Sequence, residues 1–305
     1  METNLKTSHN QIILFSLCIL LIVVSMSALE TSSAASTLYV NNATGNDDWD
    51  GTSATYQGGT VGPKATIQNA TDTVDPEGTV NVASGTYYEN LEITRNLSLL
   101  GENRETTIID GSGNGRVINV DALNFLIAHF TIQNGLVTDA GAGIYKTSGT
   151  TTINDCTIKD NTVQAITGGW GGGIYNQEGQ LNIQNSLLTN NRVLTATDGG
   201  WGGALYNLDT VNIINTQFND NNVTAAQDSA GGAIYNANQL DITDSVFNQN
   251  SAQAADQGGN GGAIYNHNNG VITLTRTDFF DNLAQSLGDN ALGGAIYSFP
   301  GGTVN

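Results

Sequence analysis

Gly261-Gly262-Ala263-Ile264-Tyr265-Asn266 is one copy of a hexapeptide that recurs to the end of the chain. Aligned on the aliphatic–Tyr pair, the copies begin at Gly141 (GAGIYK), Gly171 (GGGIYN), Gly202 (GGALYN), Gly231 (GGAIYN), Gly261 (GGAIYN) and Gly293 (GGAIYS). The intervals are 30, 31, 29, 30 and 32 residues. A weaker pattern runs in phase with it: Leu240, Ile242, Ser245, Phe247 and Asn250, with counterparts centred on Ile153/Ile158, Ile183/Leu188, Ile213/Phe218 and Leu274/Phe279. Each of these stretches closes on an asparagine, Asn161, Asn191, Asn221, Asn250 or Asn282. A fixed period of this length is the mark of a solenoid.

The period-two pattern says which kind. Leu240 and Ile242 alternate with Asp241 and Thr243, as a half-buried strand requires. Val, Ile, Thr, Tyr and Phe fill the segments, with Gly and Asn between them. The fold class is therefore all-β: a single-stranded, right-handed parallel β-helix, the hand following from the rule for parallel crossovers. Successive turns stack at about 4.8 Å. Ile144, Ile174, Leu205, Ile234, Ile264 and Ile296 fall in one inward column, and Ile158, Leu188, Phe218, Phe247 and Phe279 in another. The closing asparagines should form a hydrogen-bonded ladder. By alternation, Tyr145, Tyr175, Tyr206, Tyr235, Tyr265 and Tyr297 point outward. The segments before each glycine pair, Thr195–Gly200, Ala225–Ser229 and Ala252–Gly259, read as loops along one side.

Residues 1–36 read as a secretory signal. Lys6 is the only basic residue before the apolar run Ile12 to Met26, which is shorter than the ~20 residues that span a bilayer. Cleavage after Ser27 or Ala35 suits the small residues there; the alternative is an uncleaved N-terminal anchor. The mature chain then has no membrane span and a single cysteine, Cys156, in the slot that Ser186, Thr216, Ser245 and Thr277 fill elsewhere. An extracellular or cell-surface location follows from the signal. Residues 37–76 carry a strand (Leu38, Val40), a polar turn at 45–51, and Ile67, Ala70 and Val74 on one face of a short helix that would cap the coil. Residues 77–305 form the β-helix itself, irregular until the ~30-residue repeats begin at 141. After GGAIYS no capping unit is recognisable, so the sequence reads as part of a longer surface protein.

The GGA[I/L/V] and FxxN signatures resemble the repeats of the chlamydial polymorphic outer membrane proteins and of related adhesin-like surface proteins. Gly231–Ile234 with Phe247 and Asn250 fits both signatures, as do Gly202–Leu205 with Phe218 and Asn221, and Gly261–Ile264 with Phe279 and Asn282. The copies at 141 and 171 depart from them, with Gly143 or Gly173 before the Ile and Ile158 or Leu188 in place of Phe. The N-terminal part is similar to the entry segment of pectin-lyase-like β-helices, through Gly45-Asn46-Asp47, Gly51, Pro63 to Ile67, Ala70, and Gly85-Thr86-Tyr87 with Glu89. The first resemblance implies an adhesin-like protein that binds glycans or cell-surface proteins without catalysis. The second keeps open a polysaccharide lyase or hydrolase.

The composition narrows the choice. Nine Lys and Arg against 28 acidic residues give a net charge of −19, which argues against nucleic acid and anionic membranes. Beyond residue 165 the only Lys or Arg residues are Arg192 and Arg276, whereas a lyase acting on uronates needs carboxylates on Ca²⁺ and a basic proton acceptor. His129 and His267 stand alone in different rungs. No cofactor is expected, save a weak Ca²⁺ turn at Asp47, Asp48 and Asp50; Gln57 in place of the twelfth-position Glu rules out an EF-hand. The candidate ligand-binding residues are Trp170 and Trp201, each immediately before a glycine pair and so on adjacent rungs. They are either a stacking platform for a sugar or partner, or simple self-packing. Asn42, Asn69, Asn96 and Asn222 begin N-glycosylation sequons.

Overall fold

The computed structural model describes residues 36–288 and 290–305. Apart from Ser36, the signal segment lies outside them. Among the described residues no helix is long and apolar enough to cross a membrane.

The chain winds as a parallel β-helix. Five parallel sheets run along it, with ten, eight, eight, six and four strands. One rung shows the course: Ile234–Asn236, Gln239–Thr243, Val246–Asn248, Ser251–Ala254 and Gly259–Asn260. The hexapeptides stack in strict register, Ile144 on Ile174, Leu205, Ile234, Ile264 and Ile296. Ile144 through Ile264 are fully buried, as are Ile158, Leu188, Phe218 and Phe247 in the second inward column. The Phe218 and Phe247 rings stack at 4.6 Å, and Phe247 and Phe279 at 5.0 Å. This column continuity lets each rung bury the apolar face of the next.

The segments read as loops are flanked by two further columns of strands. Arg192–Thr195, Asn222–Ala225 and Ser251–Ala254 form one, and Gly200–Trp201, Ser229–Ala230 and Gly259–Asn260 the other. Only the residues between them turn. The two columns fold against each other around Val163, Val193 and Val223, a small second core. Short strands with small residues escape a pattern search because glycine and alanine carry no alternation signal.

Turn chemistry explains the polar residues. One column of left-handed residues runs through His129, Asp155, Asn185, Asn215, Asp244 and Arg276, and a second through Asn134, Asp160, Asn190, Asp220, Gln249 and Asp281. Most are Asn or Asp, which tolerate that conformation best among residues with a side chain. Gly231 also has a left-handed φ of +66°, and a Cβ there would lie 2.1 Å from the Ile234 carbonyl oxygen, so only glycine fits.

Hydrogen-bond ladders hold the turns. Asn161, Asn191, Asn221, Asn250 and Asn282 pass amide bonds from rung to rung at 2.9–3.0 Å. A second ladder uses the last residue of the hexapeptide: Asn176 to Asn207, Asn236 and Asn266 at 2.8–2.9 Å. Cys156, Ser186, Thr216 and Ser245 make a third, in which each hydroxyl accepts from the backbone N–H of the preceding member.

At the N-terminal end, Thr37–Val40 pairs with Thr79–Val82, and the helix Ile67–Thr73 buries Ile67 and Ala70 against the first rungs, with Val74 just beyond it. The Glu89 carboxylate accepts from the Ile67 and Gln68 N–H groups at the helix start. At the other end Thr303–Val304 pairs with Val271–Ile272.

A candidate ligand-binding groove

The outward tyrosines are a continuous stack. Tyr145, Tyr175, Tyr206, Tyr235, Tyr265 and Tyr297 follow one another at 4.6–5.5 Å between ring centroids. They point away from the main core, yet Tyr235 and Tyr265 are buried, because neighbouring columns rise on both sides. On one side stand Ala140, Trp170, Trp201, Ala230, Asn260 and Leu292, in register. On the other, the residues that follow the second asparagine ladder include Leu208, Ala237, His267 and Phe299. Tyr206, Tyr235, Tyr265 and Tyr297 floor a groove of about 430 Å³, with Trp170, Trp201, Ala230 and Asn260 on one side and His267 and Phe299 on the other.

Trp170 and Trp201 stack at 5.9 Å with 14° between planes. Glycine makes this possible: a Cβ at Gly199 would sit 2.5 Å from the Trp201 ring, and one at Gly168 would sit 3.0 Å from Trp170. The rings therefore lie back over their own strands. On the opposite wall His267 and Phe299 stack at 6.0 Å, and His267 tilts over Tyr235 at 5.8 Å. Outside the groove, at the Tyr145 end of the tyrosine column, the Arg116 guanidinium lies 4.5 Å from the Tyr145 ring centre.

The groove offers stacking faces and neutral hydrogen-bonding groups. Burial pushes the Tyr206 and Tyr265 phenols up to about 12 and raises Tyr235 further, so these hydroxyls stay protonated. Asp228 is the one carboxylate in the lining, and no lysine or arginine lines it. A larger depression of about 630 Å³ lies over Leu136, Val137, Ile166 and Leu194; its lining is aliphatic and threonine-rich, without an aromatic face.

The structure thus brings Trp170 and Trp201 together, as their spacing implies. It does not gather the carboxylates of the acidic turn. Asp47 accepts from the Ala65 and Thr66 backbone N–H groups and the Thr66 hydroxyl, and Asp50 accepts from Thr52. Among the described residues no three acidic, His or Cys side chains converge to hold a metal. In this turn Asp47 and Asp50 bond to the chain's own donors.

Other residues gain partners that spacing does not reveal. His129 Nδ1 lies 2.8 Å from Asp155 Oδ2, and the same carboxylate pairs with Arg104 at 3.1 Å. His267 belongs to the groove wall, for which the one signal is its place directly after the hexapeptide. Lys146 is fully buried at the head of the second asparagine ladder, in register with Asn176.

The family model of the Chlamydia polymorphic membrane protein repeat matches residues 244–267. Among curated proteins none matches significantly. The chain is similar to a crystal structure of a pectin methylesterase mutant in complex with a hexasaccharide, at 14% identity over 88% of this chain and 82% of that one, with a TM-score of 0.46. It is also similar to a rhamnogalacturonan lyase (16%, 84% and 75%, 0.45) and to pectin methylesterase from carrot (12%, 90% and 90%, 0.43). At these values the likeness is one of chain course, and the fold rests on the strand register. The chain is a parallel β-helix that carries a repeat of the Chlamydia polymorphic membrane protein type.

Proposed function

We propose that this is a secreted or cell-surface, adhesin-like repeat protein that binds glycans or surface partners through the aromatic groove without catalysing their turnover. The observation that carries the reading is the groove itself: a floor of Tyr206, Tyr235, Tyr265 and Tyr297 walled by the Trp170–Trp201 pair. Aromatic faces with a few polar groups suit recognition of a sugar ring or an amphipathic side chain. A single carboxylate in the lining leaves the groove without the paired acid and base that glycosidic hydrolysis uses. The matched repeat and the leader-like N-terminus support a place outside the cytoplasm.

The test joins a glycan array and a cell-binding assay with a β-elimination assay on uronate polymers. The reading expects binding that is lost in the Trp170→Ala/Trp201→Ala double variant, with folding retained. Turnover of a polysaccharide by the wild type, abolished by groove substitutions, would replace it with an enzyme.

A further inference from the structure

Both walls of the groove are interrupted at one rung. Trp170 and Trp201 are followed in register by Ala230, and the next residue down is Asn260. On the opposite wall Leu208 is followed by Ala237 and then His267. Ala230 and Ala237 flank the same tyrosine, Tyr235. The glycine against which each tryptophan lies is also changed here. Gly168 and Gly199 have Asp228 as their counterpart, and Gly258 resumes the glycine one rung on. A ring-sized side chain is thus missing from the tryptophan wall at the level where the opposite column carries only Ala237, and a carboxylate stands beside the gap.

We infer that this gap is the recognition centre of the groove and takes one uncharged pyranose ring. The inference rests on the groove being a binding site, as proposed above. From the Trp201 level to the Asn260 level is two rungs, roughly 10 Å at the ordinary strand spacing. Carbon contacts of about 3.5–4.0 Å on either face leave a slab that one puckered sugar ring fills. The C–H face of the sugar meets the free face of Trp201, while its other side faces Asn260 and His267. Its hydroxyls donate to the Asp228 carboxylate, which is exposed at the rim. Asn260 Oδ1 is buried with no hydrogen-bond partner within the chain, the mark of an acceptor awaiting a donor.

Charge selects against acidic sugars. The lining holds Asp228 and no lysine or arginine, in a chain of net charge −19. A uronate or sialate carboxylate would meet the like charge of Asp228 with no lysine or arginine in the lining to offset it.

The test uses the full chain on a microarray carrying neutral hexose and N-acetylhexosamine oligosaccharides beside oligogalacturonates and sialylated glycans, followed by calorimetric titration of the strongest binder. The expected result is a neutral glycan. Trp201→Ala should weaken it by about tenfold or more, the loss of one stacking contact. Trp170→Ala, a rung away from the gap, should weaken it far less. The double variant Ala230→Trp/Asp228→Gly fills the gap and restores the glycine seat; it should melt no lower than wild type and not bind. Preference for acidic glycans, equal damage from Trp170→Ala and Trp201→Ala, or full binding by the filled variant would overturn the inference and leave groove binding standing. Cell attachment lost on groove substitution, with no glycan bound, would also overturn it and point to a protein partner. No binding to glycans or cells would remove both readings.

Discussion

Asn191 Nδ2 donates to Asn221 Oδ1 at 3.0 Å, with both side chains fully buried, and the Asn191 backbone N–H donates to the same oxygen at 3.1 Å. Asn221 in turn donates to the Leu188 carbonyl. One amide therefore satisfies groups in two rungs. Asn221→Ala should cost about 3 kcal/mol or more, since buried donors and an acceptor lose their partner. Asn219→Ala, two residues away and half-buried, should cost under about 0.5 kcal/mol. Chemical denaturation of the two variants decides the point; equal costs would show that the ladder carries no stability.

Lys146 interrupts the other ladder. Its ammonium bonds to the Glu178 carbonyl, and Asn176 Oδ1, which would accept from an asparagine at 146, is buried without a donor. Lys146→Asn should extend the ladder and stabilise the protein by about 1 kcal/mol. Burial lowers the Lys146 amine from 10.5 to about 8. Between those values the unfolded chain binds the extra proton, so this residue makes stability rise with pH over that window. Above about 10 the raised tyrosines act oppositely. The difference between wild-type and Lys146→Asn stability, followed from pH 7 to 10, should shrink as pH rises; a flat difference would refute the assignment.

Ile234 is fully buried in the inward column, whereas Asp228 is exposed at the groove rim. Ile234→Asp should cost several kcal/mol, about 3 or more, because the carboxylate has no partner there. Asp228→Ala should change stability by less than about 0.5 kcal/mol. Thermal melts of both variants test the orientation of the hexapeptide.

Cys156 is fully buried in the hydroxyl ladder, and burial pushes its thiol up to about 12. It should resist maleimide in the native state and react on unfolding. Cys156→Ser, the residue found one rung on, should melt within a few degrees of wild type. Rapid native labelling would contradict the burial.

The fold was legible because inward residues repeat in kind. Isoleucine recurs at 144, 174, 234, 264 and 296, and Phe at 218, 247 and 279, so periodicity alone aligns the columns. The Trp170–Trp201 contact followed from that alignment. The groove did not, because its walls are the positions at which the repeats differ: Ala230 and Asn260 share nothing with Trp201 that a pattern could detect. The glycine-rich fifth column was invisible for a related reason, since its strands are two residues long and carry little apolar contrast. Pairings such as His129 with Asp155 depend on turn conformation, which spacing does not encode.

The inward columns hold one residue type over many rungs, while the wall beside the tyrosines reads Ala140, Trp170, Trp201, Ala230, Asn260, Leu292. Neither Ala230 nor Asn260 touches the main core, so a change at either leaves the stacking of Ile234 on Ile264 intact. The binding specificity proposed for the groove could then change one residue at a time along this wall, and duplication of a whole thirty-residue unit would lengthen the wall without redesigning its frame.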